Sequence, residues 1–321
     1  MSLFLGIDTS AYTTSIAIVD HKFNIILDER KILDVEKGQR GLRQSDALFL
    51  HIKNLPLLFE KITRGLPSEI RSVAVSKFPR RVEGSYMPVF TAGYSHAVAI
   101  SKFTGAPLCA VSHQEGHIMA GILANPALLD REEFLAVHFS GGTSEILHVK
   151  KQGKTASMDI KVVAAGMDLH AGQLVDRVGV AMGLPFPAGK TIEKMALQSD
   201  QHNIPLIPST IKGEGFCFSG AETRALQLVK QGECKEDIAY AVLRVIANTL
   251  EKILLVQTDK LGIKDVLLVG GVMANSLIRE RLVKRLEHPA VGLNLYFAEP
   301  LLSTDNAVGV AFMAACADQS E

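Results

Sequence analysis

The sequence predicts an α/β protein made of two similar halves. A strand–turn–strand module occurs twice, at residues 4–20 and 135–149, and in each copy a buried β run breaks into small hydroxyl and glycine residues before a second β run leaves. Patterns typical of helices and buried strands alternate after each copy, which favours an α/β fold with mixed sheets. Because 321 residues are many for a single hydrophobic core, two domains are expected.

The predicted elements follow a similar plan in both halves. After the first module come a polar stretch at 29–43, helices at 45–63 and 91–103, strands at 71–76 and 106–111, and a helix starting near His113. After the second come a strand at 157–164, helices at 171–182, 192–199 and 235–260, a strand at 266–269, a helix from 274, a strand at 293–297 and a helix from about 306. Two such halves around a nucleotide cleft are the architecture of the actin-like ATPases and sugar kinases. We predict a first lobe at 1–125, onto which a C-terminal helix at about 304–321 packs back, and a second lobe at 126–303.

Composition and charge are those of an ordinary globular protein. Apolar residues make up 47% of the chain, and 34 Lys and Arg residues balance 34 Asp and Glu residues. A formal charge of zero argues against a broad basic surface, so an RNA substrate would need help from partner proteins. The four cysteines lack metal-binding spacing and are expected to be free thiols. Without a signal-peptide pattern or a long apolar run, the chain is expected to be cytoplasmic and to have no membrane partner.

The turn of each module is a candidate phosphate site. Asp8, Thr9 and Ser10 form the first turn, and Ser140, Gly141 and Gly142 form the second. Backbone N–H groups and hydroxyls in such turns suit phosphate oxygens. Two facing turns would hold a nucleotide from both sides, although two unrelated Gly-rich hairpins would look the same.

His113 and His117 form a candidate metal site. They are four residues apart at the start of a predicted helix, so both imidazoles lie on one helix face after a strand end, where α/β folds bind ligands. Asp305, in the loop before the last predicted helix, is the best candidate for a third ligand, although an aspartate there could be an ordinary helix N-cap. Two imidazoles and one carboxylate leave positions open for substrate oxygens and allow zinc, iron or magnesium. Glu115 lies on another helix face and is expected to be solvated or to support the ligands.

Further candidate contacts to a nucleotide lie in the second half. Gly270 and Gly271 would let the backbone approach a ribose or adenine, and Asn275 could hydrogen-bond the base or sugar, although a plain strand–helix turn explains them equally well. Asp176 lies among apolar residues of a predicted helix, where an acid is costly unless it is solvated, paired or functional, so a ribose-hydroxyl contact is expected. Gly189, in a proline-containing loop, could lie against a sugar or simply belong to a connector.

Taken in this order, the motifs resemble the threonylcarbamoyladenosine (t6A) synthase catalytic subunit family, formerly called the glycoprotease or O-sialoglycoprotein endopeptidase family. The resemblance covers nearly the whole chain, with motifs at 6–10, 113–117, 140–142, 175–177, 187–189, 218–220, 270–275 and 304–306. It implies a divalent metal on His113, His117 and Asp305. It implies an adenylate held by His138, Phe139, Ser140, Gly141, Gly142, Asp176, Gly189 and Asn275. The implied reaction transfers threonylcarbamoyl from threonylcarbamoyl-AMP to N6 of adenosine 37 in tRNA, with accessory tRNA-modification proteins and no side-chain nucleophile.

Three departures from the family pattern are typical of a paralogue. Thr143 stands where the family usually has a histidine. The family's paired acids are reduced to one, Asp168, at residues 168–170, and residues 76–84 replace the family's glycine-rich loop. Two alternatives therefore stay open: a small-molecule kinase or carbamoyltransferase using ATP or an acyl-adenylate, and a non-catalytic nucleotide-binding regulator. The histidine pair with Asp305 favours the t6A transferase over a sugar kinase, which would need a catalytic aspartate near the γ-phosphate. The oligomeric state is left open, with a dimer allowed.

Overall fold

The computed structural model describes residues 2–10, 12–34, 42–62, 69–151 and 157–319. The chain forms two compact units, the first comprising residues 1–132, 151–159 and 301–321 and the second 133–150 and 160–300. The lobe limits given above stay a prediction. Among the described residues, none of the helices is long and apolar enough to span a membrane.

The first unit contains a five-stranded mixed sheet with the order β3-β2-β1-β4-β5. Strands β1 and β2 and strands β2 and β3 pair antiparallel, whereas β4 is parallel to β1 and β5 is parallel to β4. The strands are β1 (Leu3–Ser10), β2 (Thr13–Asp20), β3 (Ile25–Ile32), β4 (Ile70–Phe78) and β5 (Leu108–Ser112). The helices of this unit, labelled in chain order, are α1 (Gln44–Phe59), α2 (Phe90–Thr104), α3 (His113–Leu123) and α9 (Val308–Asp318), with a 3-10 turn at Pro126–Asp130.

Both faces of the first sheet are buried, which explains the continuous apolar runs of β1 and β2. Successive side chains of a strand point to opposite faces. Ile16 and Ile18 pack with residues of α1 and α2 on one face, whereas Ala17 and Val19 pack with residues of α3 and α9 on the other. Helix α9 therefore covers the sheet beside α3.

The second unit repeats this strand order as β8-β7-β6-β11-β12. Strand β6 pairs antiparallel with β7 and parallel with β11, and β12 continues parallel. The strands are β6 (Glu133–Phe139), β7 (Ser144–Lys151), β8 (Met158–Ala165), β11 (Asp265–Val269) and β12 (Asn294–Phe297), with a separate hairpin of β9 (Thr210–Lys212) and β10 (Gly215–Cys217). The helices are α4 (Ala171–Ala181), α5 (Gly189–Ala196), α6 (Ser219–Gln231), α7 (Lys235–Leu261) and α8 (Ser276–Leu286), with a 3-10 turn at Gly271–Ala274. The predicted α/β class and its duplicated mixed sheets are confirmed.

Some element predictions were wrong in detail. Strand β3 occupies the beginning of the stretch predicted to be merely polar, and residues 35–41 of that stretch lie outside the described residues. Helix α1 ends at Phe59, earlier than predicted, and the helix expected from residue 274 begins at Ser276 after a 3-10 turn. Helix α6 and the β9–β10 hairpin were not predicted.

Candidate functional site

Three side chains of the first unit converge at the start of helix α3. His113 and His117 belong to α3, and Asp305 lies in the loop that precedes α9. The Nε2 atoms of the two histidines are 3.1 Å apart. Asp305 Oδ1 lies 3.5 Å from His113 Nε2 and 3.4 Å from His117 Nε2. In the described part of the chain, His113, His117 and Asp305 form the group of His, Cys, Asp or Glu side chains whose ligand atoms lie close enough together to hold a metal ion.

Glycines at the contact between α3 and α9 allow Asp305 to reach the histidines. A Cβ on Gly309, in the first turn of α9, would lie 1.9 Å from the carbonyl oxygen of Gly116 and 2.6 Å from the nitrogen of Ala120. A Cβ on Gly6 of β1 would lie 2.4 Å from the carbonyl oxygen of Ala307. The backbones of β1, α3 and α9 therefore touch directly, and this contact brings the loop before α9 to the first turn of α3.

Asp8 fixes the orientation of His113. The carboxylate of Asp8 is fully buried in β1, and its Oδ1 lies 3.0 Å from His113 Nδ1. The other ring nitrogen, Nε2, faces His117 and Asp305. A carboxylate on the distal nitrogen of a ligand histidine sets its tautomer and ring orientation and raises its basicity.

The charges of the cluster attract a cation. Burial alone would raise the pKa of Asp8 and Asp305, but their contacts with the imidazoles hold the pKa of Asp8 below, and that of Asp305 well below, the usual value. Burial would lower the pKa of His113, but the two carboxylates raise it to about 10. Burial and the charge of His113 lower the pKa of His117. Two ionised carboxylates therefore surround one imidazolium, whose proton a metal ion would replace.

The spacing and chemistry of the donors fit a metal ion. Ligands bound at about 2.0–2.2 Å with tetrahedral or octahedral angles are about 3.0–3.5 Å apart, which is the range of the three observed separations. The side chains of His113 and Asp305 are 18% and 27% exposed, so one side of the cluster is open. Two imidazoles and one carboxylate suit zinc, or iron(II) with open positions. The identity of the ion stays a prediction.

Asn306, rather than Asp305, caps helix α9. Its Oδ1 accepts the backbone N–H groups of Val308 at 3.0 Å and Gly309 at 3.3 Å. Its Nδ2 donates to the carbonyl oxygens of Leu302 and Thr304. The hydrogen bonds that an N-cap aspartate would accept are thus accepted by Asn306, and the carboxylate of Asp305 faces the histidines.

In the second unit, glycine-containing turns meet at the carboxyl edge of the sheet. Strands β6 and β11 are adjacent and parallel, so the turns that follow Phe139 and Val269 lie side by side. Gly270 has φ 96°, and a Cβ there would lie 2.3 Å from the carbonyl oxygen of Phe139. Gly172, in the first turn of α4, donates its N–H to the carbonyl oxygen of Ser140 at 3.1 Å, and a Cβ there would lie 2.7 Å from the same oxygen. Glycine is required at both positions.

The turn after β6 presents open backbone. The Oγ of Ser140 accepts the N–H groups of Gly142 and Thr143 at 3.2 and 3.1 Å. A Cβ on Gly141 or Gly142 would meet nothing within 4 Å, so packing inside the unit does not require these two glycines. The carboxyl edge of an α/β sheet is where ligands bind in such folds.

Asp176 lies one helical turn beyond Gly172 on α4. Its Oδ1 accepts the N–H of Ala188 at 2.7 Å, at the residue before Gly189. Burial raises the pKa of the Asp176 carboxyl above its usual value, and the hydrogen bond from the Ala188 N–H offsets this rise only in part. Arg177 pairs instead with Glu222, 3.3 Å away, because adjacent residues of a helix face apart. The acid is therefore partly satisfied within the unit, and a ribose contact by Asp176 or Gly189 stays a prediction.

Comparison with known proteins identifies the family. A sequence model of the family described as tRNA N6-adenosine threonylcarbamoyltransferase matches residues 35–312. The chain belongs to this family. The protein of that name from Zymomonas mobilis is 32% identical over 326 residues, which cover 97% of this chain and 85% of the relative. The protein of that name from Thermosipho africanus is 29% identical over 322 residues, covering 96% and 92%. The resemblance predicted from the motifs is confirmed, and the family makes this chain a transferase of tRNA t6A synthesis.

Solved structures with low sequence identity share the fold. Component A of (R)-2-hydroxyglutaryl-CoA dehydratase from Acidaminococcus fermentans superposes with a TM-score of 0.60 at 16% identity, covering 100% of both chains. A ROK family glucokinase from Streptomyces griseus gives a TM-score of 0.53 at 10% identity, covering 99% of each chain. The actin-like ATPase fold predicted for this threonylcarbamoyltransferase homologue is confirmed.

Several residues expected to contact a nucleotide in this family are packed inside their own unit. The Oγ1 of Thr9 accepts the N–H of Gly93 at 3.1 Å, and Ser10 is 2% exposed. The ring of Phe139 packs against two other phenylalanines in the core, and His138 is 5% exposed. Nucleotide contacts by these residues stay predictions, as does one by the buried Asp8.

Asn275 caps helix α8. Its Oδ1 accepts the N–H of Ile278 at 3.1 Å, and the residue is 8% exposed. The N-cap of an ordinary strand–helix turn therefore explains the hydrogen bond of the Asn275 side-chain oxygen without a ligand. Gly271, four residues earlier, is exposed. A contact from either residue to a base or sugar stays a prediction.

The expectation that Glu115 could be solvated is wrong. Glu115 is 1% exposed, and its Oε2 accepts both the N–H and the hydroxyl of Ser112 at 2.7 Å. The Ser112 hydroxyl in turn accepts the N–H of Glu115, which completes a capping box. The Nε of Arg81 donates to the Oε1 of Glu115 at 2.9 Å. The Ser-x-x-Glu spacing is the sequence signal that identifies this box, which fixes the helical turn carrying His113.

Proposed function

We propose that this protein transfers the threonylcarbamoyl group of threonylcarbamoyl-AMP to N6 of adenosine 37 in tRNA, with a divalent metal held by His113, His117 and Asp305. Membership of the threonylcarbamoyltransferase family supports the reaction and the RNA acceptor. The convergence of the three side chains is the single observation that supports the metal. When bound, the ion would supply Lewis-acid polarisation of carbamoyl or phosphate oxygens. Zinc or iron is favoured by the imidazole-rich donors, and magnesium is the alternative.

The reaction requires no side-chain nucleophile. The N6 amine attacks the carbamoyl carbon, the bond from that carbon to the phosphate oxygen breaks, AMP leaves, and N6 loses a proton. In the first unit, Asp8 would hold His113 so that its Nε2 stays directed at the ligand position. In the second unit, the backbone N–H of Gly141 would suit the phosphate, and Asp176 would suit a ribose hydroxyl.

The test is to incubate the metal-loaded protein with threonylcarbamoyl-AMP and unmodified tRNA, with and without accessory tRNA-modification proteins. Mass spectrometry of the digested nucleosides should then detect threonylcarbamoyladenosine. The double variant H113A/H117A should lose bound metal and product together, whereas K102Q, an exposed change at the end of α2, should retain both. Absence of the modified nucleoside in every condition would overturn the proposal.

Other outcomes of that test address the alternatives. Consumption of ATP or an acyl-adenylate in the absence of RNA, with a modified small molecule as product, would favour the small-molecule kinase or carbamoyltransferase. Nucleotide binding without turnover would favour the non-catalytic regulator, for which Thr143 and the altered residues 168–170 are the sequence differences to restore first.

A further inference from the structure

We propose that Arg30 is a positioning residue for the candidate metal site, because it fixes the loop that carries Asp305. This inference rests on the proposed metal role of the His113, His117 and Asp305 cluster. Arg30 lies in the edge strand β3, and its Nη1 donates to the carbonyl oxygen of Leu301 at 2.5 Å and to the Oγ1 of Thr304 at 3.2 Å. Asp305 is the next residue along the chain.

The guanidinium of Arg30 is itself held rigidly. Its Nε donates to Oδ1 of Asp28 at 2.8 Å and its Nη2 donates to Oδ2 at 2.5 Å, so the pair is bidentate. The side chains of Arg30 and Asp28 are 19% and 26% exposed. A planar guanidinium that is fixed along one edge presents its remaining N–H groups in a defined direction, which a lysine cannot reproduce. Here that direction is toward the loop.

The loop has little packing of its own on its outer side. Leu301 is 77% exposed, Thr304 is exposed, and the segment begins where the chain leaves the second unit at Pro300. From the inner side, Asn306 bonds the loop carbonyls of Leu302 and Thr304. Arg30 supplies the matching contacts from the outer side. Without Arg30 the outer side of the loop would lose these two hydrogen bonds, and the distances from Asp305 to the two imidazoles would be held less tightly.

The expected effect is on metal affinity. Partners that orient metal ligands from outside typically change affinity by about 10–100-fold, and R30Q should fall near the lower end, at about tenfold weaker binding of Co²⁺. R30K should retain part of the affinity, because one ammonium can contact the loop without the bidentate bond to Asp28. D28N should weaken binding in the same direction. The double variant R30Q/D28N should bind Co²⁺ about as weakly as R30Q does, because each single change already breaks the same Arg30–Asp28 contact.

The matched control is R71Q. Arg71 Nε lies 3.0 Å from Oδ1 of Asp318, so this ion pair ties β4 to the far end of α9 in the same unit. Both pairs lie at the surface, where ion pairs contribute little to folding. The metal-free R30Q and R71Q proteins should therefore unfold at similar temperatures, and R30Q should bind Co²⁺ more weakly.

The experiment is a Co²⁺ titration of the full chain followed by visible absorption, with competition by Zn²⁺. Weaker binding by R30Q with an altered Co²⁺ spectrum, and wild-type binding by R71Q, is the expected result. Equal affinities of R30Q and wild type, or equal losses in R30Q and R71Q, would overturn the positioning role alone. If the wild type fails to bind one Co²⁺ per chain, the metal part of the proposed function fails and the role of Arg30 with it. R30K and D28N give the same test if R30Q does not fold.

Discussion

Replacing Gly309 with alanine should damage the candidate metal site through the helix contact that forms it. Gly309 lies in the first turn of α9, four residues after Asp305, and its Cα faces the backbone of α3. An added Cβ would lie 1.9 Å from the carbonyl oxygen of Gly116 and 2.6 Å from the nitrogen of Ala120. Both contacts are with backbone atoms, which cannot rotate away as a side chain would.

The cost follows from these distances. A Cβ contact essentially never falls below 3.0 Å, so the two helices must move apart by about 1.1 Å. Alanine normally favours a helix over glycine by about 1 kcal/mol, but overpacking a core costs about 1–3 kcal/mol and occasionally more. Taking the upper end of the overpacking cost and subtracting the helix preference, we expect G309A to lose about 2 kcal/mol of unfolding free energy, which lowers the thermal midpoint by about 4–8 °C for a unit of this size. The same shift moves Asp305 away from His113 and His117, so Co²⁺ affinity should fall at least about tenfold.

Thermal unfolding by circular dichroism and Co²⁺ titration together check this prediction. The matched control is G220A in α6, where a Cβ would meet nothing within 4 Å, so its thermal midpoint and metal affinity should stay at or slightly above wild type. If G309A unfolds at the same temperature as G220A and binds Co²⁺ as the wild type does, the contact between α3 and α9 does not determine the site.

Three further predictions concern the same unit. D8N should weaken Co²⁺ binding about 10–100-fold, because it removes the carboxylate that orients His113; unchanged binding would show that this orientation is dispensable. Burial, offset only in part by the charge of Asp8, lowers the pKa of His51. Below about pH 6.5 the unfolded chain therefore takes up a proton that the folded chain excludes. As the pH is lowered through this range, the unfolding free energy should decrease by up to about 1.4 kcal/mol per pH unit. Denaturant unfolding of wild type and H51N across pH 5–8 checks this, and a pH-independent difference between them would contradict it. Adding Zn²⁺ at a hundred times its dissociation constant should raise the unfolding free energy by about 2.7 kcal/mol, and a chelator should reverse this gain. If D305N gains as much at the same Zn²⁺ concentration, Asp305 is not a ligand.

Periodicity predicts the elements whose buried faces are strongly apolar. Strands β1 and β2 are buried along their whole length, and α7 repeats apolar residues over seven turns, so both are visible in the sequence. Strand β3 is an edge strand whose central residues Asp28 to Lys31 are charged, and the sequence therefore suggests a loop. Helix α6 was missed because its buried face consists of Ala221, Ala225 and Leu228, which gives a weak apolar signal.

The histidine pair could be predicted because its spacing is local, and Asp305 because it precedes a recognisable helix. The pairing of Asp8 with His113 could not, since it joins two strand ends that only the sheet brings together. The buried position of Glu115 differs from the predicted one, although its capping-box spacing is in the sequence. The position of Glu115 on its helix face follows from spacing, but its contact with Arg81 comes from a loop that is distant in the sequence.

The ligands of the candidate metal site, and the contacts described above that hold them, belong to the first unit. The capping box of Glu115 fixes the turn with His113, the Gly116–Gly309 contact sets the distance between the helices, and Arg30 holds the loop with Asp305. These contacts are made by backbone groups and buried or bidentate side chains, so the three ligand atoms are held in place before a metal binds. A site organised in this way loses little conformational entropy on metal binding. Much of its affinity should therefore depend on residues that never touch the metal, and these residues are hardest to find in the sequence because most of their partners are far away along the chain.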